Sequence, residues 1–364
     1  MKGNECELLI DGEATFDSIF AGIDAAQEYI LVQFYIVRAD GLGNALKTRL
    51  VEKAGQGLRV YFLYDELGSL GLPAAYINEL REAGVHMKPF NTRRGRRNRF
   101  QLNFRNHRKI VVTDGKAAWI GGHNVGDEYL GKDLAIGRWR DTHVKITGPA
   151  TLAAQVSFLE DYQWATDELL NLTWTPTPSP DGDVPVLIVP TGPADQTETA
   201  MLMFVHIINS ARQRIWISSP YFVPDESVMS ALTLARLRGV DIRILIPEMP
   251  DNKLMYFAAY DYFDDLSESG IEFYRYQDGF IHEKVMLVDD ALSAVGTANF
   301  DNRSFRLNFE ITALMGDQPF AAEVEQMFND GFAVSRKMLP GDYDAKPYWF
   351  KLAVRVCRLM SPVL

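Results

Sequence analysis

Two stretches of this 364-residue chain carry the same reactive side chains at the same spacing. The first holds His107, Lys109, Asp114, Gly121 and Asn124; the second holds His282, Lys284, Asp289, Gly296 and Asn299, displaced throughout by 175 residues (282 − 107). An imidazole can attack an electrophile or carry a proton, and an ammonium and a carboxamide beside it can hold anionic oxygens. Neither set is a usual metal site: a cationic Lys two residues from the His would repel a divalent ion, and no His-x3-His or Cys pair is present. A pair of structural strands with incidental polar residues would not explain why the same three polar types recur together.

Strand geometry accounts for the spacing. Each block is a β-branched run with a turn dipeptide in its middle, Asp114-Gly115 in the first and Asp289-Asp290 in the second, which predicts two hairpins. Alternate side chains share a face of a strand, so His107 and Lys109 point the same way and Asp114, at odd separation, does not. Asp114 and Asp289 are therefore expected in turn chemistry. Folding each hairpin about its turn sets Gly122 opposite His107 and Thr297 opposite His282, where a small residue would leave room for a ligand.

The length suits two domains of about 150 to 180 residues. A 47% hydrophobic and 23% charged composition is that of a globular protein, and a formal charge of −11 argues against a general nucleic-acid coat. Cys6 and Cys357 near opposite ends make no disulfide framework, which favours a reducing compartment. The polar start is no signal peptide, and no run reaches about eighteen apolar residues.

Periodicity predicts helix at 23–28, strand at 30–37, helix at 43–54, strand at 58–65, helix at 75–83 and strand at 85–90. It repeats as helix at 197–212, strand at 214–219, helix at 226–238, strand at 240–247, helix at 255–269 and strand at 271–276. Strands alternating with helices imply an α/β fold with a sheet covered on both faces. The Pro-rich stretch 173–185 is the expected linker between an N-terminal domain (1–172) and a C-terminal domain (186–345), followed by a tail (346–364).

The doubled His-x-Lys-x4-Asp-x6-Gly-x-x-Asn resembles the phospholipase D superfamily. The words around it, from Asn103 to Lys109, from Gly121 to Tyr129, from Trp139 to His143 and from Asn308 to Glu310, resemble bacterial cardiolipin synthases, over most of the chain. The resemblance implies two homologous α/β/α sandwich domains related by a pseudo-two-fold axis, with the active site at their interface. It also implies a phosphatidyltransferase that needs no cofactor, forming cardiolipin from phosphatidylglycerol through a phosphohistidine. One imidazole would attack and the other would act as acid and base, with His107 as nucleophile by analogy, since the pseudo-symmetric motif itself does not distinguish them. Lys109, Lys284, Asn124 and Asn299 would hold phosphoryl oxygens, and Asp141 and Glu310 match by position the acidic residues that orient the imidazoles. Ordinary strand-end carboxylates are the alternative for those two. A phospholipase D hydrolase, a phosphodiesterase-type nuclease and a non-enzymatic lipid scaffold are the alternative functions. His86, His123, His143 and His206 lack the Lys partner, and core or surface roles are expected of them, with a place lining the cleft as the alternative for His143 in the Trp-Arg-Asp-Thr-His word.

Arg94, Arg97, Arg99 and Arg105 belong to a basic run just before the first motif, interleaved with Phe100 and Phe104. On an acidic protein such a run suits an anionic membrane surface; a solvated charge run and a nucleic-acid contact are the alternatives. In the tail, Lys351, Arg355 and Arg358 share one helical face, with Trp349, Leu352, Val356, Leu359 and Met360 towards the other. Such a segment is either an interfacial helix or a helix docked on the protein's own core. The resulting expectation is a peripheral protein of the bacterial inner membrane, acting on an anionic phospholipid, with no nucleic-acid partner and without the N-terminal transmembrane helices common in the resembled family.

Overall fold

The computed structural model describes residues 1–90, 104–180, 182–249, 251–339 and 341–359. The expectations for Arg94, Arg97, Arg99 and Met360 fall outside them. The chain forms two compact units: unit 1 is Met1–Pro190 with Val295–Thr297 and Phe309–Gly316, and unit 2 is Thr191–Ala294, Ala298–Asn308 and Asp317–Leu364. The described residues of the Pro-rich stretch form no helix or extended ladder and belong to unit 1, where Ser179 N–H donates to Gly3 O (2.9 Å) and Val184 N–H to Asn4 O (2.8 Å).

Unit 1 starts with β1 (Glu5–Ile10), α1 (Asp11–Ala25), β2 (Tyr29–Phe34), α2 (Gly41–Gly55), β3 (Arg59–Asp65), α3 (Ala74–Glu82) and β4 (His86–Phe90). It continues through β5 (Arg105–Asn106), the hairpin β6 (Ile110–Thr113) and β7 (Ala117–Gly121), then β8 (Trp139–Arg140), β9 (Thr142–Thr147), α4 (Thr151–Thr166) and β10 (Val186–Thr191). Its sheet runs β1-β9-β7-β6-β2-β3-β4. Every residue of β2 is buried, as a strand covered on both faces requires. Phe16, Ile19 and Ile23 of α1 and Leu42, Leu46 and Leu50 of α2 recur at helical spacing and pack on one face with Ile30, Val32 and Phe34. On the other face Gln33 reaches Asp161 of α4.

Unit 2 contains α5 (Thr199–Ser210), β11 (Arg214–Ser218), β12 (Phe222–Val223), α6 (Glu226–Leu237), β13 (Asp241–Pro247), α7 (Lys253–Glu268), β14 (Glu272–Tyr276) and β15 (Phe280–Ile281). The second hairpin follows, β16 (Val285–Val288) and β17 (Leu292–Gly296), then β18 (Phe300–Asp301) and α8 (Asn302–Arg306). After β19 (Asn308–Gly316) come α9 (Gln318–Ala333), β20 (Ser335–Lys337) and α10 (Tyr348–Arg358). The end of β17 and nearly all of β19 count with unit 1, where Thr297 N–H donates to Ile311 O (2.9 Å) and Gly316 N–H to Pro185 O (3.0 Å).

The repeat seen in the motifs extends to topology. In unit 1, β6 lies antiparallel to β2, and β2, β3 and β4 are successively parallel. In unit 2, β16 lies antiparallel to β11, and β11, β13 and β14 are successively parallel. The turn aspartates work identically. Asp114 and Asp289 both adopt left-handed backbone, at φ 55° and 51°, a conformation that Asp tolerates because its short side chain can bond locally. The Asp114 carboxylate accepts N–H bonds from Gln27 (2.8 Å), Glu28 (2.8 Å) and Tyr29 (3.0 Å), and Asp289 accepts from Arg212 (3.1 Å), Gln213 (2.7 Å) and Arg214 (3.0 Å). Each aspartate thus pins the start of the neighbouring central strand.

That staple also explains a misplaced helix. The expected helix at 23–28 is instead α1, Asp11–Ala25, and it stops where the amides of Gln27, Glu28 and Tyr29 turn to Asp114. Asp114→Ala should cost about 3 kcal/mol, since three amides lose a charged acceptor and one of those bonds is buried. Asp289→Ala should cost less, because most of its bonds are open to water. Urea unfolding of the two variants decides it; equal stability of Asp114→Ala and the parent protein, or a larger loss in Asp289→Ala, would contradict the assignment.

Candidate active site

His107 does not sit in the hairpin that follows it. Ile110 faces Ile120 across β6 and β7, a register one residue away from the one that would set Gly122 opposite His107. By position 107 the chain has left that ladder: β5 pairs with β19, and His107 N–H donates to Phe309 O (2.9 Å). This second pairing brings Glu310 to the imidazole, with His107 Nδ1 lying 2.9 and 3.1 Å from the two carboxylate oxygens. The Tyr35 ring meets the imidazole edge-on at 5.1 Å, and Lys109 Nζ donates to His107 O at 2.7 Å.

Glu310 is wholly buried, which by itself would raise its pKa; His107, by charge and hydrogen bond, then Lys109 and the Thr297 hydroxyl, outweigh the burial and hold it below the usual carboxylate range. An ionised carboxylate only accepts, so Nδ1–H of His107 donates to it, and deprotonation of the ring leaves the lone pair on Nε2. In its neutral form such a ring can act as a nucleophile or as a base.

The small residues serve the carboxylates rather than a ligand. A Cβ on Gly122 would stand 2.0 Å from Asp141 Oδ1, so Gly122 makes room for the buried Asp141 side chain. Thr297, the equivalent of Gly122 in the second block, helps stabilise Glu310. Gly121 and Gly296 meet the backbones of Thr142 and Ile311, at 2.3 and 2.5 Å from an added Cβ, so each lets two strands approach. His143, in β9, is buried with its Nδ1 3.1 Å from Nδ1 of His123.

In unit 2, Lys284 Nζ lies 2.7 Å from His282 Nδ1 and also donates to the His282 carbonyl, repeating the bond of Lys109 to its own histidine. Phe280 stacks beside the ring at 6.1 Å. Asn124 Oδ1 accepts from Ile36 N–H (3.1 Å), and its Nδ2 lies 3.4 Å from the Tyr129 hydroxyl. Asn299 is anchored through its backbone N–H to Ser304 Oγ (3.1 Å), while its Oδ1 is buried without a hydrogen bond among the described residues.

A supporting network around the first motif escaped the sequence reading. Asp161 accepts from Arg108 Nη1 (2.8 Å), Asn106 Nδ2 (2.8 Å) and Gln33 Nε2 (2.7 Å); Arg108 Nε also donates to Glu310 O (3.0 Å), and Asn106 N–H donates to Asp65 (3.0 Å). These bonds fix the residues on both sides of His107. The second block has Ile281 and Glu283 at the places of Asn106 and Arg108, so a comparison of the two blocks removes both residues. Arg105 stands half-buried in β5, where its charge acts on Asp65. In α10, Lys351 pairs with Asp344 (3.3 Å) and Arg358 with Asp261 (2.9 Å), while Arg355 is exposed.

The sequence model of the cardiolipin synthase, phospholipase D-like domain matches residues 19–151 and 204–331, one match per motif. Over all 364 residues the chain is 51% identical to cardiolipin synthase A of Pseudomonas putida (strain GB-1), covering 76% of that protein. It is 50% identical to cardiolipin synthase A of Pseudomonas aeruginosa (strain LESB58), covering 74%. Among solved structures, phosphatidylserine synthase of Haemophilus influenzae Rd KW20 superposes with a TM-score of 0.75 at 18% identity, over 99% of this chain and 95% of that one. Polyphosphate kinase of Porphyromonas gingivalis superposes at 0.60 and 12% identity, over 99% and 54%. At those identities the two structures speak for the fold alone.

Glu310→Gln keeps the shape and removes the charge that holds the His107 tautomer. It should lower kcat/KM by roughly 10²- to 10⁴-fold with the fold retained. The carboxyl pKa is depressed in the folded state, so the stability it contributes is complete above the unfolded carboxyl pKa and disappears as pH falls through the folded value. The gap in thermal midpoint between the parent and Glu310→Gln should therefore close on acidification. A gap that widens would refute the assigned ionisation.

Proposed function

Because the chain belongs to the cardiolipin synthase family of phospholipase D-like proteins, we propose that it joins two phosphatidylglycerol molecules into cardiolipin and glycerol through a phosphatidyl group carried on His107. The protein is an enzyme of the phospholipase D superfamily with cardiolipin synthase function; the donor lipid, the residue roles and the membrane setting are the parts proposed. The observation that carries the reading is the ionised Glu310 on His107 Nδ1, which leaves Nε2 as the attacking nitrogen.

In the first step Nε2 of His107 attacks phosphorus, an N–P bond forms, and the P–O bond to the glycerol headgroup breaks. His282, acting as acid, gives its proton to the departing glycerol alkoxide. In the second step the hydroxyl of another phosphatidylglycerol loses its proton to His282, its oxygen attacks phosphorus, and the N–P bond breaks to restore His107. Both imidazoles thus serve the same phosphoryl group. Lys109, Lys284, Asn124 and Asn299 stabilise the phosphoryl oxygens as negative charge builds, an effect worth about 3 to 4 kcal/mol per donor in comparable sites. Asp141 is proposed as the second orienting carboxylate. No step uses a metal or another cofactor.

Both substrates are bilayer lipids, so the reaction is proposed at the bacterial inner membrane, with the basic residues Arg94, Arg97, Arg99 and Arg105 as headgroup contacts. Exclusion of water from the second step separates transfer from hydrolysis.

The test uses purified protein, phosphatidylglycerol liposomes and no divalent ions. Cardiolipin and glycerol should appear in equal amounts, and His282→Ala should slow turnover by roughly 10²-fold or more while accumulating a phosphatidyl group on His107, detectable by mass spectrometry. His107→Ala should form neither adduct nor product. Phosphatidic acid as the main product would replace the synthase with a hydrolase, and an adduct on His282 in the His107→Ala protein would reverse the two roles.

A further inference from the structure

The last helix is apolar on two opposite sides, and the fold uses only one of them. Phe350 of α10 is inserted among Tyr256, Phe257 and Tyr260 of α7, with ring centres 6.4, 5.1 and 4.9 Å away, and Val354, one turn on, is fully buried. The opposite side is neither polar nor covered within unit 2: Tyr348, Trp349, Leu352, Val356 and Leu359 are 81, 64, 52, 56 and 81% exposed. At about 100° per residue these five fall within an arc of roughly 100°, turned away from Phe350 and Val354. The helix cannot roll this arc inward without withdrawing Phe350 from its aromatic cage.

Single exposed apolar residues are ordinary on a protein surface, but five large ones side by side mark a contact surface. Its charge says what it contacts. On a chain of net charge −11, residues 348–359 contain three basic side chains and no acidic one. Lys351, Arg355 and Arg358 follow one edge of the apolar arc; Arg355 is exposed, and Lys351 and Arg358 are held at that edge by Asp344 and Asp261. Tyr and Trp at the first turn are the side chains that settle at the level of lipid headgroups. An 11-residue helix is about 16 Å long, too short to cross a hydrocarbon core of roughly 30 Å, so it would lie in the interface plane.

We propose that the outward face of α10 is a docking surface for a bilayer that contains anionic phospholipid, with Leu352, Val356 and Leu359 entering the acyl boundary and Arg355 meeting lipid phosphates. The inference rests on the lipid-substrate reading above and adds to it the element through which this chain meets the membrane.

Flotation of the full chain with phosphatidylcholine vesicles, with and without phosphatidylglycerol, tests it alongside turnover of phosphatidylglycerol dispersed in detergent micelles. The parent protein should float with the anionic vesicles, and the double variant Leu352→Asp/Val356→Asp should lose at least tenfold in vesicle partitioning. Its thermal midpoint and micellar turnover should stay those of the parent. Arg355→Glu should lose several-fold, mainly at low salt, and Leu234→Asp, an equally exposed apolar site on α6, should change nothing. A double variant that floats like the parent overturns the proposal, as does a parent that ignores anionic vesicles. A variant that alters sedimentation of the chain without altering flotation also overturns it, because a second copy is then the occupant. Loss of flotation in the double variant, with no cardiolipin from micelles in any protein, would sustain the docking surface and sink the synthase reading instead.

Discussion

A fully buried carboxylate held against an imidazole is the contact on which the rest of unit 1 depends. Taking an ion out of water costs several kcal/mol even after the protein relaxes, and removing one partner of such a pair costs nearly as much. Glu310 is ionised in spite of its burial because His107, Lys109 and Thr297 converge on it. That convergence requires a 203-residue sequence separation to be closed to 2.9 Å. A backbone bond from His107 N–H to Phe309 O and a side-chain bond from Arg108 Nε to Glu310 O close it. The strand pairing of β5 with β19 is thus a condition of the chemistry as well as of the fold.

Around that contact the protein reuses a small set of devices. An aspartate in left-handed backbone gathers the amides at the start of the central strand, a glycine lets the hairpin's second strand approach its neighbour, and a lysine folds back onto the carbonyl of its own histidine. Each device appears once per repeat, and each has a local cause in the residue type that occupies it. Local causes of this kind survive duplication, because they need only the hairpin and the strand beside it.

What was legible in the sequence follows the same division. The strands β2, β3, β11, β13 and β14 and the helices α2, α3, α6 and α7 could be read from periodicity, since each buries a stripe or a whole run against the sheet. Asp114 was assigned to turn chemistry because odd spacing removes it from the face of His107. The end of α1 was not legible, because the helix stops where a distant carboxylate captures its next amides. The hairpin register around His107 was misread by one residue for a related reason: the chain leaves β7 for β19 before the histidine is reached, and no local pattern announces a partner two hundred residues away. Asp161 and Gln33 were invisible because neither lies in the repeated words, and Asn106 and Arg108 because the second repeat replaces them.

Those replacements bear on how two matching motifs divide their work. The residues that flank the two histidines differ in kind. The first motif is flanked by Asn106 and Arg108, tied through Asp161 to the central strand at Gln33, so the backbone on both sides of His107 is held by charged and amide bonds. The equivalent positions beside His282 are an apolar Ile281 and a buried Glu283. A nucleophile has to present one nitrogen along one line to phosphorus, and small errors in that line are expensive. The bonds on both sides of His107 restrict that line, as the role proposed for the ring requires.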